Sequence, residues 1–141
     1  MFPDDSASVD TASLSRWSGT PNWYLWEGGF LALGRSQGVV PQHEHHAIQI
    51  VVSVDGQVGI RGAKTDWQMA PGIIVLPHVV HSYNSNAVVS AMLFVDPESS
   101  EGAWLKASVR EEITLVPGHR AAECAVEIRK FLDRRACPAR N

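Results

Sequence analysis

The residues best suited to chemistry in this chain are histidines, five of which fall into two clusters: His43, His45 and His46, then His78 and His81. Neutral imidazole is a common ligand for zinc, nickel, iron and copper ions. If residues 41–52 form a β-strand, successive side chains point to opposite faces. His43, His45 and Gln49 then share one face, and Glu44 and His46 share the other. A second-cluster histidine in the same cavity would complete a three-nitrogen site for one divalent transition metal (Zn, Ni or Fe).

The spacing of these residues resembles the two sequence motifs of the cupin superfamily. The first motif is matched by Gly38, four residues, His43-x-His45, three residues, Gln49, six residues and Gly56. The second is matched by Gly72, four residues, Pro77 and then His81. The resemblance implies an all-β fold, the cupin double-stranded β-helix or jelly-roll barrel, with metal ligands His43, His45, His81 and Gln49.

The chain departs from the cupin pattern at two points. Gln49 stands where many cupins carry a ligating glutamate, and the gap between Pro77 and His81 is one residue short and lacks the usual glycine. His78 is therefore the alternative to His81. Three imidazoles and an amide leave a divalent ion without a protein anion, and burying an uncompensated charge is costly. A weak metal site and no metal site both stay open.

A narrower resemblance is to the amino-terminal sensor domain of AraC-type transcription regulators. It rests on the segments His45-His46-Ala47-Ile48-Gln49-Ile50, Leu76-Pro77-(x)3-His81, Val95-Asp96-Pro97-Glu98-Ser99 and Gly102-x-Trp104-Leu105. It implies a barrel that takes up a small-molecule effector, a trailing amphipathic helix that forms a homodimer, and a separate DNA-binding unit. The chain covers the barrel and the helix, and it carries no helix-turn-helix signal.

The leading hypothesis is therefore a ligand-sensing and dimerisation domain of such a regulator. The rival is a small metal-dependent cupin enzyme of dioxygenase or isomerase type, although the missing carboxylate counts against it. A cupin that only stores or scavenges a small molecule is a third possibility. Trp26, Phe30 and Trp67 are candidates to line the ligand pocket beside the histidines and Gln49, because ligand sites are mostly apolar. For each of the three, a place in the barrel core is the alternative.

Short runs of β-branched and aromatic residues between Gly, Pro, Asn and Asp predict the strands: residues 23–34, 47–54, 57–61, 73–76, 88–95 and 113–116. Asp55-Gly56 predicts a hairpin turn. Asp96-Pro97-Glu98 predicts the start of a short helix. Apolar residues at helical spacing predict an amphipathic C-terminal helix with one stripe: Ala121, Cys124, Ala125, Ile128, Phe131 and Leu132. This stripe could pair with its twin in a dimer or lie against its own barrel.

These patterns divide the chain into a mobile arm (residues 1–20), the barrel (21–118) and a C-terminal helix with a tail (119–141). A net charge of −3 makes direct nucleic-acid binding by this chain unexpected. Two cysteines, Cys124 and Cys137, without C-x-x-C spacing fit reduced thiols in a cytoplasmic protein. The acidic start is unlike a signal peptide, and the most apolar stretch, residues 72–95, is too interrupted for a membrane span.

Overall fold

The computed structural model describes the backbone of residues 18–35 and 38–136, and their side chains except residues 18–23, Trp26 and residues 128–136. Ten strands and two helices lie within this part of the chain. They are β1 (Ser18–Trp26), β2 (Gly29–Arg35), β3 (Val39–His43), β4 (Ile48–Ser53), β5 (Val58–Gly62), β6 (Gln68–Ala70), β7 (Gly72–Val75), β8 (His81–Asn84), β9 (Val89–Val95), α1 (Ser100–Ser108), β10 (Ile113–Leu115) and α2 (Gly118–Ala136). Residues 1–17 of the expected arm and residues 137–141 of the tail lie outside the described residues, so the three-part division stays a prediction.

The strands form two antiparallel sheets that face each other. The larger sheet has the order β1-β2-β9-β4-β7-β10, and the smaller has the order β3-β8-β5-β6. Buried apolar side chains from both sheets fill the space between them, among them Val51, Ile73, Val75, Val58, Ile60 and Tyr83. This arrangement confirms the predicted all-β jelly-roll barrel followed by a C-terminal α-helix.

The run predicted as one strand over residues 23–34 is in fact a hairpin. β1 pairs with β2 from Trp26 opposite Gly29 onward, and the chain turns at residues 27 and 28. Gly28 has a φ of 105°, a region that side chains with a Cβ rarely enter. The sequence pattern did not reveal this turn, because both strands are partly buried and the residues on each side of Gly28 are similarly apolar.

The Asp55-Gly56 turn is not the hairpin that the sequence predicts, because it joins strands of different sheets. β4 belongs to the larger sheet and β5 to the smaller. Glycine is needed here because of a close approach: a Cβ on Gly56 would lie 2.8 Å from Val88 Cγ1. The Asp55 carboxylate accepts the Val89 backbone N–H at 2.9 Å and lies 3.2 Å from the Arg35 guanidinium, which fixes the crossover to β9 and β2.

Helix α1 begins later than predicted, because Ser99 rather than Asp96 is its N-cap. The Ser99 hydroxyl accepts the Gly102 backbone N–H at 3.0 Å. The Asp96 carboxylate instead accepts the Glu98 backbone N–H at 2.9 Å and closes the preceding turn. Two oxygen-bearing residues three positions apart offer two possible caps, and packing of the chain after β9 selects the second.

Helix α2 packs against β4 of its own barrel through its first turns. Ala121 and Ala125 are buried, whereas Cys124 and Val126 are exposed. The remainder of the predicted stripe, Ile128, Phe131 and Leu132, has side chains outside the described set. The beginning of the stripe thus covers the barrel, and dimerisation through the helix stays a prediction. Neither α1 nor α2, in the part described, is long and apolar enough to cross a bilayer.

We expect Gly102→Ala to destabilise the fold by about 1–3 kcal/mol or more, because overpacking displaces neighbouring atoms. A Cβ on Gly102 would collide with the Asp96 carbonyl oxygen and lie 2.6 Å from Pro97 Cα, both of which are backbone. Gly118→Ala is the matched control, since a Cβ there meets nothing within 4 Å. Urea unfolding measures both variants, and equal free energies of unfolding would contradict this account of α1 packing.

Candidate metal centre

Three short segments of the chain bring the candidate ligands to one end of the barrel. His43 ends β3 and pairs with His81, which begins β8, so these two belong to the smaller sheet. Gln49 lies in β4 of the larger sheet. His45 lies in the linker, residues 44–47, that carries the chain between the sheets. The strand assumed over residues 41–52 to place these side chains does not form as one element, because β3 ends and β4 begins on opposite sheets.

The three rings meet even though they come from different elements. Ring centroids are 4.4 Å apart for His43 and His81, 5.0 Å for His45 and His81, and 5.4 Å for His43 and His45. One ring nitrogen of each lies within 4.8 Å of those of the other two. His81 rather than its alternative His78 joins the group, because His81 is fully buried while His78 is exposed.

The hydrogen bonds of the three rings fix which nitrogen carries the proton. Nδ1 of each ring lies beside a backbone carbonyl oxygen two residues away: Pro41 O for His43 at 2.7 Å, Ala47 O for His45 at 2.9 Å, and Val79 O for His81 at 2.7 Å. A carbonyl oxygen only accepts, so Nδ1–H is the donor in each neutral ring. Nε2 is left with its lone pair, the arrangement that backbone carbonyls impose on metal-binding histidines.

Gln49 places another acceptor among these lone pairs. Its Oε1 lies 3.0 Å from His45 Nε2 and 3.2 Å from His81 Nε2. Acceptor atoms that face one another repel unless a donor or a cation lies among them, so this donor set fits a divalent transition metal. A half-turn of the amide would instead present its NH2 group to both rings, which gives the metal-free protein a neutral alternative.

Burial keeps two of the rings neutral near neutral pH. Desolvation lowers the pKa of His81 from 6.5 to about 4, outweighing the hydrogen bond to Val79. Desolvation also lowers the pKa of His45, and it outweighs the hydrogen bond that the protonated ring would donate to Gln49. A nearby positive charge on His43 would lower both further. These rings can therefore offer lone pairs without first losing a proton.

The wall beside the histidines is aromatic, and its nearest member was missed by the sequence analysis. Phe94 lies edge-on to His45 with ring centroids 5.4 Å apart, and it stacks on Phe30 at 5.0 Å. Phe94 in β9 lies opposite Gln49 in β4. Only this register would have revealed it, because nothing in the local sequence distinguishes Phe94 from a core residue. Phe30, a predicted pocket residue, is thus one ring removed from the histidines.

Of the other two predicted pocket aromatics, Trp67 does not join the described site. The guanidinium carbon of Arg61 lies over the Trp67 ring, 5.0 Å from the ring centroid, and the same ring lies beside Gly59. The Arg61 side chain points away from the barrel interior, because the neighbouring Ile60 is buried there. Trp67 therefore stacks on the outer surface of the smaller sheet. The side chain of Trp26 lies outside the described set, although its backbone belongs to β1.

The two facing antiparallel sheets and the convergence of the two motif segments at His43 and His81 are those that the cupin resemblance implies. The barrel has the cupin fold. Solved structures with which it can be superposed include a cupin-2 domain protein from Shewanella frigidimarina (14% identity, 61% of this chain and 90% of that one, TM-score 0.46). Others are a cupin domain from Bordetella pertussis (14%, 57% and 95%, 0.42) and an RmlC-like cupin from Desulfovibrio desulfuricans (13%, 67% and 92%, 0.44). No protein-family model and no curated protein matches the chain.

Proposed function

We propose that this chain is the small-molecule-sensing and dimerisation domain of an AraC-type transcription regulator, and that a divalent transition metal in its barrel helps to hold the effector. The observation that carries the metal is that one ring nitrogen of each of His43, His45 and His81 lies within 4.8 Å of those of the other two, while each Nδ1 lies beside a backbone carbonyl oxygen. The sensor role rests on the sequence resemblance together with this site.

The histidines, Gln49 and Phe94 at the end of the barrel have different roles in binding an effector. His43, His45 and His81 hold the ion, with the Gln49 amide oxygen as a fourth ligand or as a hydrogen-bonding group. When bound, the ion supplies an electron-pair acceptor for an oxygen or nitrogen atom of the effector. Phe94 supplies an apolar wall beside His45. Together these groups suit a small molecule with one polar end and one apolar end.

A sensor fits this site better than a catalyst because the ligand cluster contains no carboxylate and no base besides the histidines that would hold the ion. Within the described residues, the groups that gather around the three histidines include no carboxylate. Burial keeps His45 and His81 neutral, and both are already committed to binding. A site of this kind can bind an effector without transforming it, and its differential affinity for two dimer arrangements would then shift their populations.

The proposed dimer contact involves α2, whose first turns already cover β4. The described part of the helix leaves Val126 48% exposed, on the side away from buried Ala125. A second copy of α2 could cover this side, and two-fold pairing is the commonest oligomer symmetry. Val126→Glu is then expected to weaken self-association in sedimentation velocity while the effector still binds.

The proposal is tested by thermal shift with Ni²⁺ or Zn²⁺ and a panel of small organic acids, alcohols and amines, since ligands of the native state raise the midpoint. A small molecule that raises the midpoint should bind wild type and His119→Ala equally but bind His43→Ala weakly. His119 is the control because its imidazole is exposed at the start of α2. NMR of the small molecule after incubation must show it unchanged. Equal binding to all three proteins would contradict the barrel site.

The enzyme rival keeps one observation in its favour. Three histidine ligands leave coordination positions for a substrate, as catalytic metal sites do. Under this reading the metal-loaded protein consumes the small molecule with turnover, and His43→Ala abolishes that turnover. The same NMR measurement therefore separates the two functions, since a sensor returns its effector intact.

A further inference from the structure

A second histidine cluster, formed by His46 and His78, lies on the outer surface of the barrel next to the segments that carry the first. His46 follows His45 in the linker, residues 44–47, and its side chain is exposed. His78 lies in the loop between β7 and β8, and its backbone N–H donates to the His45 carbonyl oxygen at 2.9 Å. This bond ties the two loops together, so the outward-facing rings of His46 and His78 meet with centroids 5.2 Å apart.

Carboxylates hold both rings from outside. His46 Nε2 lies 2.7 Å from Glu98 Oε1, and His78 Nδ1 lies 3.3 Å from Glu44 Oε1. A carboxylate accepts, so these nitrogens are the donors. Each neutral ring is thereby left with one lone pair, on His46 Nδ1 and on His78 Nε2. These two nitrogens face each other at 3.0 Å.

Two opposed lone pairs at this distance require a shared proton or a shared cation. Nitrogens that bind one ion at about 2.0–2.1 Å lie about 2.9 Å apart at a right angle and about 3.4 Å apart at the tetrahedral angle. The observed 3.0 Å falls within that range. Carboxylates that orient the ligating rings from behind are the usual surroundings of bound histidines. Unlike the barrel site, this cluster also has anions nearby to offset a divalent charge.

Two further features mark the same place. His78 has a φ of 61°, a left-handed conformation that is uncommon outside glycine, although asparagine, aspartate and histidine adopt it more often than other residues. A cleft of about 420 Å³ opens beside the rings, and its lining includes His46, His78, Glu98, Pro77, Pro97, Lys106 and Glu112. An ion between the rings would keep positions free for water or for a ligand in this cleft.

We propose that His46 Nδ1 and His78 Nε2 bind one divalent transition-metal ion of the zinc, nickel and copper group on the outer face of the barrel. Glu98 and Glu44 act as positioning residues for the two rings. The ion would join the β3–β4 linker to the β7–β8 loop, the two segments that also carry the barrel histidines. This inference does not depend on the proposed function, because it uses different side chains.

Equilibrium dialysis against Zn²⁺ with elemental analysis counts the ions per chain. His78→Asn removes the ring but tolerates the left-handed backbone, and it should lose one bound ion. His119→Asn makes the same change at an exposed helical position and should lose none. Glu98→Gln should lower the affinity for the outer ion by about 10- to 100-fold, the usual effect of removing a carboxylate that orients a metal-binding histidine.

Long-range proton–nitrogen NMR identifies the rings involved. Zn²⁺ should move the His46 Nδ1 and His78 Nε2 signals, and should still do so in His43→Ala, where the barrel site is impaired. The proposal is overturned if these signals titrate with pH but ignore Zn²⁺, since the rings would then share only a proton. It is also overturned if His78→Asn keeps every bound ion. If Zn²⁺ moves these signals in wild type but not in His43→Ala, the wild-type shift comes from the barrel site, and the proposal is again overturned.

Discussion

Replacing Gln49 by glutamate is expected to tighten divalent-metal binding in the barrel by about tenfold or more, since opposite charges a few ångströms apart attract strongly in a partly desolvated site. The Gln49 oxygen already lies 3.0 Å from His45 Nε2 and 3.2 Å from His81 Nε2. A glutamate carboxylate therefore needs no rearrangement to reach an ion held by these rings, and it supplies the missing anion. Competition titration against a coloured chelator measures the affinity directly.

Gln57→Glu is the matched control, because it introduces the same charge at an exposed position between β4 and β5. It should leave the affinity unchanged. The metal-induced rise in the thermal midpoint should follow the same order, since tenfold tighter binding adds about 1.4 kcal/mol of stabilisation at saturation. If Gln49→Glu and Gln57→Glu bind Zn²⁺ or Ni²⁺ equally, the barrel histidines do not form the metal site.

The metal-free protein is expected to lose about 3 kcal/mol of stability between pH 6.5 and about 4 through His81 alone. The ring is buried neutral, with its pKa lowered from 6.5 to about 4. Between pH 6.5 and about 4, the His81 ring is protonated in the unfolded chain but stays neutral in the folded chain, so acidification favours unfolding. The stability that neutral His81 contributes is fully present above pH 6.5, the pKa of the ring in the unfolded chain. It is lost as the pH falls toward about 4, the pKa of the ring in the folded chain. His45 acts in the same direction.

Urea unfolding across this pH range in the presence of a chelator measures the effect. His81→Asn lowers overall stability through lost packing, but the informative quantity is the slope of unfolding free energy against pH, which should become shallower. His119→Asn makes the same substitution at an exposed ring and serves as the matched control for the change itself. An unchanged slope in His81→Asn would mean that His81 is not buried neutral in the folded protein.

The same titration links stability to metal uptake. A metal needs the Nε2 lone pairs, so a bound ion competes with protons for the same atoms. Saturating metal should therefore steepen the loss of stability on acidification, because protonation then also releases the ion.

Much of the architecture follows from local sequence. Alternating apolar runs with Gly and Pro between them predict the strands, and the spacing of Ala121 and Ala125 predicts the buried face of α2. The motif spacing also predicts which histidines turn inward. These features depend on side-chain periodicity and on the preferences of single residues, which are properties of the chain itself.

Other features were decided only when distant segments packed together. The path from β3 through residues 44–47 to β4 crosses between sheets, and the Asp55-Gly56 turn does the same, because each sheet recruits strands from far along the chain. Phe94 meets His45 only through the pairing of β9 with β4. The outer pair of His46 and His78 depends on one backbone bond between two loops. Spacing along the chain predicts which face a side chain takes, whereas the partner it meets there depends on strand register and loop contacts, which form only in the folded protein.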